Sequence, residues 1–560
     1  MPASLTDLVA RLARAVDEAP SAPVRVSGLR GSAPALSLAR LLATRSQPVL
    51  VTLATAADAE AFAADVRFFL GEAAAPGPLA RRVHYLPGWE VPPFEALSPA
   101  RETVAARMEG LYHLVQTPAP VVVTTAEAWL QRCLPRSIFA EAVTYVVAGE
   151  TIAPDALAGR LVEWGYHRVP LVQDPGDLAL RGGILDVFPA GHEQPVRLEF
   201  LGDTVESLRV FDPTSQRSLD RLEDVLVLPV RELGLSSLGP ESARRVDARA
   251  AEIGLARQER RDLVEAVRTG LVLPGVEQLL PYLYEAPGTL ADYLPAGTLL
   301  WMQGAGAVDA AVETTWAGIQ TRASEAAAEG RFHPLPEELH LSPGAWRAAL
   351  GERPRVEVEA LDLLDLEGEG VQATSYATEG LALRTAPGGE GPLAAVASRL
   401  REWQREGARL VLVGATESQR DRIVALLAGH GLAITPTRAP FPQALTAPGR
   451  APLALAGELT RGAWLPADHL ALVTEAEIFG ERRQVRRGRR ARPADFLSTL
   501  AELKPNDFVV HVDHGIGVYR GLRHMQVADT EGDYLHLEYL GGDRLYLPVD
   551  RINLVQRYVG

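Results

Sequence analysis

VRVSGLRGSAPALSLARLLA (Val24–Ala43) decides the reading of the first domain. It passes from a short apolar strand, Val24–Leu29, through the turn Gly28-Leu29-Arg30-Gly31-Ser32 into a helical pattern. In a parallel α/β fold, ligands lie at the carboxyl ends of the strands, so this turn occupies the place of a phosphate loop. Such a loop needs a lysine to reach the β and γ phosphates. The 560-residue chain has one lysine, Lys504, far from any turn of this kind. A helix N-terminus here could still attract an anion; the plainer reading is a strand-to-helix turn. The chain reads as a multidomain protein that binds other proteins, with no cofactor expected in it.

The same rhythm continues outward. PVLVTLAT (Pro48–Thr55), ADAEAFAADVRFFLG (Ala57–Gly71), RVHYLP (Arg82–Pro87) and PVVVTTAEAW (Pro120–Trp129) alternate strand with helix, which predicts a parallel sheet covered by helices. In YLPGWEVPPFEALSPARETVAARMEGLYHLV (Tyr85–Val115), Pro87, Pro92, Pro93 and Pro99 stiffen an extended loop ahead of a long helix. Trp89 and Phe94 in that loop are either exposed contacts or pins that hold it to its own domain. From about residue 128 the texture becomes β-rich. VRLEFLGDTVESLRVFD (Val196–Asp212) is punctuated by Gly202-Asp203 and predicts a hairpin. Arg181-Gly182-Gly183 is a turn before the strand ILDVF, and places a basic residue at the rim of a small sheet.

Farther on, ARLVLVGATESQRDRIVALLAGHG (Ala408–Gly431) reads as strand, turn and helix of another α/β unit. LALVTE ends it with Glu475 and Glu477 nearby; without a lysine-bearing loop they read as surface or hinge carboxylates rather than a motor or metal site. ERRQVRRGRRARP (Glu481–Pro493) carries seven arginines, among them Arg482, Arg483, Arg486 and Arg487. It is an exposed linker, or a contact for phosphates or an acidic surface. DFVVHVDHGIGVYRGLRHMQVADTEGDYLHLEYLGGDRLYLPVDRINLVQRY (Asp507–Tyr558) predicts a small antiparallel barrel with Leu545 and Leu547 facing inward. His511, Asp513 and His514 lack a third imidazole or thiolate at ligand spacing, so a turn hydrogen-bond network is expected in place of a metal.

Composition narrows the function classes. Hydrophobic residues make up 47% and charged residues 23%, so the chain can build real cores. The net charge of -15 argues against wrapping nucleic acid over the whole surface. With Cys133 as the single cysteine there is no internal disulfide and no thiolate cluster. This fits the cytoplasm, and neither a signal peptide nor a membrane span is read in the sequence.

Taken in order, GWEVPPFEALSP (88–99), RGGILDVFPAG (181–191), VRLEFLGDTVESLRVFDPTSQRS (196–218), FGERRQVRR (479–487) and VVHVDHGIGVYRG (509–521) resemble the bacterial transcription-repair coupling factor family (Mfd), in its N-terminal part. The resemblance implies a multidomain α/β fold. Residues 1–127 and 219–345 would form a degenerate RecA-like, UvrB-like domain that has lost its Walker residues. Residues 128–218 would be its α+β, UvrA-binding insert. A further α/β domain over 346–480, an arginine-rich linker over 481–493 and a Tudor/SH3-like, CarD-like barrel over 494–560 would follow. Arg168, Arg181 and Phe188 match positions through which UvrB-like domains bind UvrA. Met525, with Leu522 and Tyr519, falls where the family meets the β subunit of RNA polymerase. The family's complete protein continues into a double-stranded DNA translocase that uses ATP and Mg and displaces stalled polymerase, so the chain reads as part of a longer protein, itself without a catalytic residue or metal ligand. A CarD-like regulator or adaptor that binds polymerase without repair coupling is the alternative, and a nuclease or helicase working through Glu475 or the histidines near 511 is the enzymatic one.

Overall fold

A computed structural model describes residues 4–18, 23–72, 81–359, 370–372, 392–446, 449–479, 507–511, 515–527, 530–539, 544–548 and 555–557. The first sheet has seven parallel strands in the order 370–372, 23–27, 355–359, 299–303, 49–53, 121–125, 83–86. Val49–Leu53 and Val121–Thr125 are buried at every position, as expected of β-branched runs covered on both faces. The helix Ala56–Leu70 is capped by Thr55, whose side chain accepts from Asp58 N, and stops at Gly71, whose φ of 76° is the left-handed cap that glycine adopts without strain.

Two expected boundaries move. Arg355–Glu359 and Gly370–Gln372 flank Pro23–Ser27 in the first sheet, so that domain reaches past residue 345. The insert, expected over 128–218, has its first strand at Thr144–Val147 and its last at Asp224–Val227, which pair with one another. Residues 126–142 stay with the first domain because Trp129, Leu130, Leu134 and Phe139 pack into the core beneath its sheet. Trp89 and Phe94 are 5% and 3% exposed, so they pin their loop.

The insert contains a six-stranded sheet, antiparallel except where His167–Arg168 joins Asp177–Arg181. The hairpin Val196–Leu201/Thr204–Phe211 forms where expected, with Gly202 at φ 63°. Residues 392–479 form a second α/β unit, with parallel strands 435–436, 453–456, 409–414 and 470–474 and an antiparallel edge at 463–465. Its Phe441 meets Phe68 and Phe69 of the first domain at ring separations of 5.4 and 4.9 Å. The C-terminal strands form a five-stranded antiparallel sheet in the order 544–548, 530–538, 515–527, 508–511, 555–557. Among the described residues no ladder joins its two end strands. No helix among them is long and apolar enough to cross a membrane.

Candidate docking surfaces

Alternation along the insert's strands sorts its two faces. Leu178, Leu185, Val187, Val196, Leu198, Val205 and Leu208 face one core, shared with Leu157 and Leu161 of the helix Pro154–Glu163. The opposite face carries charge. Strand register lines up Ala179, Asp186, Arg197, Arg209 and Arg221 across five neighbouring strands. Asp186 is fully buried and is shared by two guanidiniums. Arg197 grips it in bidentate fashion, Nε to Oδ1 at 2.7 Å and Nη2 to Oδ2 at 2.9 Å. Arg181 Nη2 donates to Oδ2 at 2.7 Å with half of its side chain still exposed. Asp186 thus meets two guanidiniums, Glu199 shares this face at the parity of Arg197, and the Arg197 guanidinium also lies 4.7 Å from the Phe211 ring centroid.

Arg168 and Arg181 sit on adjacent strands. Arg168 is exposed, and the exposed apolar side chains Leu171 and Ile184 each follow one of these arginines by three residues. Phe188 departs from expectation. At 6% exposure it packs with Val172, Ala179 and Phe211 in a small core under the charged face, so it supports the surface from below. Sequence reading missed Arg197, Arg209 and Arg221; their shared parity along the three strands was the available signal.

In the C-terminal sheet, Leu522 pairs with Leu535 and Met525 with Gly532 on the long hairpin. Tyr519 is 6% exposed and packs with Val509, Leu535, Leu537 and Leu547, which makes it a core residue and corrects the expectation of a contact. Leu547 is buried and Leu545 packs against the same core, both as expected. Phe508, on the neighbouring strand, is 57% exposed and was not singled out from sequence. Arg482, Arg483, Arg486 and Arg487 lie outside the described residues, as do Asp513 and His514.

The turn in the phosphate-loop position is filled by the chain itself. Gly31 has φ 59°, and a Cβ added to it would lie 2.0 Å from the Gly462 carbonyl oxygen. A carbonyl oxygen is the wrong partner for an anion at that spot. The loop bearing Gly462 is held by Glu477, 3% exposed, which accepts from Gly462 N at 2.8 Å and Thr474 N at 2.7 Å. Glu475 pairs with Arg422 at 2.8 Å. Both carboxylates thus have structural partners. Beside this contact Asp65, buried, accepts from Thr460 N and Oγ1 at 2.7 and 2.8 Å. Desolvation pushes its pKa up to about 7.

Residues 145–233 match the UvrB interaction domain, and residues 503–559 match the CarD-like/TRCF RID domain. The chain is 35% identical over 551 residues to a transcription-repair-coupling factor of Myxococcus xanthus, covering 96% of this chain and 46% of that protein. It is 26% identical over 552 residues to that of Bacillus subtilis, covering 96% and 45%, and 29% identical over 481 residues to that of Escherichia coli, covering 85% and 40%. The chain spans about half the length of the curated relatives it matches.

Proposed function

We propose that this chain, which belongs to the transcription-repair-coupling factor family, works as a docking platform with two separate grips. The observation that carries the reading is the pair of matched interaction domains, at 145–233 inserted within and at 503–559 following an α/β body whose phosphate-loop position is filled by Gly462. The insert recruits UvrA at the rim of its sheet, with Arg168 and Arg181, on adjacent strands, as contacts. The C-terminal sheet, closed into a small barrel, holds the β subunit of a stalled RNA polymerase around Leu522 and Met525, and Phe508 adds exposed apolar surface there. Together they bring excision repair to the place where transcription has stopped, in the cytoplasm.

ATP and Mg belong, on this reading, to a translocase segment outside these residues that moves on double-stranded DNA and displaces polymerase. The platform itself neither binds nor hydrolyses nucleotide. The arginine run at 481–493 adds a phosphate contact, which a salt-dependent affinity for duplex DNA would reveal.

Co-elution tests the reading. The 560-residue chain should bind purified UvrA and, separately, the polymerase β subunit, with no phosphate release from ATP in the presence of DNA. Polymerase binding without UvrA binding would leave only a CarD-like adaptor. Saturable ATP hydrolysis by this chain would overturn the platform reading altogether.

A further inference from the structure

The C-terminal sheet has two unlike faces. Val509, Tyr519, Leu535, Leu537 and Leu547 turn toward its core. Residues directly across an antiparallel ladder share a face, and every second residue along a strand returns to it. The opposite face is therefore traced by Phe508, Val518, Glu538 and Arg544, which form one row across four strands, and by His536 and Tyr546, paired two residues along. Arg523 joins it one step farther, opposite Tyr534. Arg520 reaches it from the bulge in the long strand, where its Nε donates to Glu538 Oε2 at 2.8 Å.

Charge on this face is unbalanced. Arg520, Arg523 and Arg544 are all exposed, and Glu538 is the one carboxylate among its described side chains. Glu538 pairs with Arg520, while Arg523 and Arg544 make no ion pair among the described residues. Between the arginines His536 stacks on Tyr546, with ring centroids 4.9 Å apart and planes inclined by 14°. His536 is 5% exposed, and both of its ring nitrogens are buried with no hydrogen-bond partner. Burial holds its pKa below the usual histidine value. Arg523, Arg544 and Arg520 push the same way, so three guanidiniums act on one imidazole and Glu538 alone opposes them. In a chain of net charge -15 this is a local concentration of positive charge. An anionic partner seated among the arginines offers the acceptor that the buried ring lacks inside the protein.

We propose that this face, through Arg520, Arg523 and Arg544, binds the phosphate backbone of duplex DNA. Arg544 stands two strands from Arg520 and Arg523, about 10 Å away at the usual strand spacing. Exposed guanidiniums spread this far apart suit a polyanion charged along its whole length, and they position it without reading its sequence. A protein partner anchors instead on desolvated aromatic and apolar side chains. Phe508, 57% exposed, lies at the far end of the row, three strands from Arg544. The face is thus divided between an apolar end for polymerase and a basic end for the DNA that polymerase occupies. The arginine run at 481–493 precedes this sheet in the chain, so the proposal deepens, and in part rests on, the phosphate reading of that run.

The test uses the full 560-residue chain and a fluorescent mixed-sequence duplex of about 20 base pairs, with anisotropy read between about 50 and 200 mM salt. The Arg523→Ala/Arg544→Ala double variant should bind more weakly and should lower the slope of log affinity against log salt by about 2. Across that range the wild type then loses about ten-fold more affinity than the variant. Lysine at both positions should restore the slope, since a phosphate accepts a point charge. Both arginines are exposed and unpaired, so the Tm should not move. Replacing Arg482, Arg483, Arg486 and Arg487 by alanine is measured separately. A DNA loss confined to that run variant would remove the face and keep the run, and no duplex binding by the wild type would remove both. An unchanged slope in the double variant, together with lost binding to the isolated polymerase β subunit, would overturn the proposal and assign these arginines to an acidic protein surface.

Discussion

Arg107 and Glu232 form an ion pair in which each side chain is 2% exposed. Arg107 Nη2 donates to Glu232 Oε2 at 3.2 Å, and its Nη1 donates to the Pro87 carbonyl at 2.8 Å and to Gln131 Oε1 at 3.1 Å. Trp89 Nε1 donates to Glu232 Oε1 at 2.9 Å. The proline-stiffened loop, the helix Arg101–Gln116 and the segment leaving the insert thus meet at one carboxylate. Cation and anion are both desolvated here, so removing either partner strands the other.

Glu232→Gln is therefore expected to destabilise the first domain by about 3–5 kcal/mol, because it leaves Arg107 buried without a counter-charge. Pulse proteolysis in urea measures this. A loss below about 1 kcal/mol would mean that water reaches Arg107 and that the hub does not hold the insert.

The contact between Gly31 and Gly462 gives a second expectation. Gly31→Ala places a methyl group 2.0 Å from a backbone oxygen at φ 59°. Gly182→Ala is the matched control, with φ 60° and nothing within 4 Å of the added carbon. Positive φ alone costs about 1–2 kcal/mol. The excess loss in Gly31→Ala reads the clash, and it should appear as increased protease cleavage within 392–479. Equal effects of the two substitutions would show that the loop at Gly462 is not seated on the old phosphate position.

How far the sequence foretold these features depends on the range of the interactions involved. The alternation of strand and helix over Val24–Trp129 was legible because β-branched runs and glycine or proline punctuation are local signals. The hairpin at Gly202 was legible for the same reason. Arg355–Glu359 was not, since nothing within RVEVE says that its partners are Pro23–Ser27 and Leu299–Gln303. Phe188 and Tyr519 were read as contacts, but an aromatic beside a glycine turn or on a strand has the same local pattern whether it faces water or a core. The missing lysine identified an empty phosphate position; that Gly462 fills it is a contact between residues about 430 positions apart, invisible to any local pattern.

The pH dependence of stability separates two buried groups. Asp65 has its pKa raised to about 7 by desolvation, from 3.8. The native state therefore holds a proton that the unfolded chain releases between these values, and stability from this group is lost as pH rises through about 7. The shift corresponds to about 4 kcal/mol at most. Asp65→Asn keeps an acceptor for Thr460 N and removes the titration, so the Tm of the variant relative to wild type should increase from pH 5 to pH 8. His340 acts in the opposite sense. Burial lowers its pKa to about 3, from 6.5, so its contribution is present above 6.5 and is lost as pH falls toward 3. A flat difference between Asp65→Asn and wild type across this range would rule out a buried, protonated Asp65.

Arg181 and Arg197 share Asp186 but should fail differently when removed. Arg181 is half exposed, and its pair is screened by water, so Arg181→Ala should cost folding stability no more than about 1 kcal/mol. Asp186 keeps the bidentate grip of Arg197, whose side chain is 16% exposed. Arg197→Ala leaves that buried carboxylate with one half-exposed partner and should cost about 3 kcal/mol or more. Affinity for UvrA should follow the reverse order among variants that remain folded. The exposed half of Arg181 is what an acidic partner can reach, and desolvating that pair makes its loss worth about 2–5 kcal/mol of binding. Calorimetric titration of UvrA against Arg181→Ala, with chemical denaturation of both variants, separates the roles. Undiminished UvrA affinity in Arg181→Ala would assign this arginine to holding Asp186 alone and move the contact surface along the register to Arg209 and Arg221.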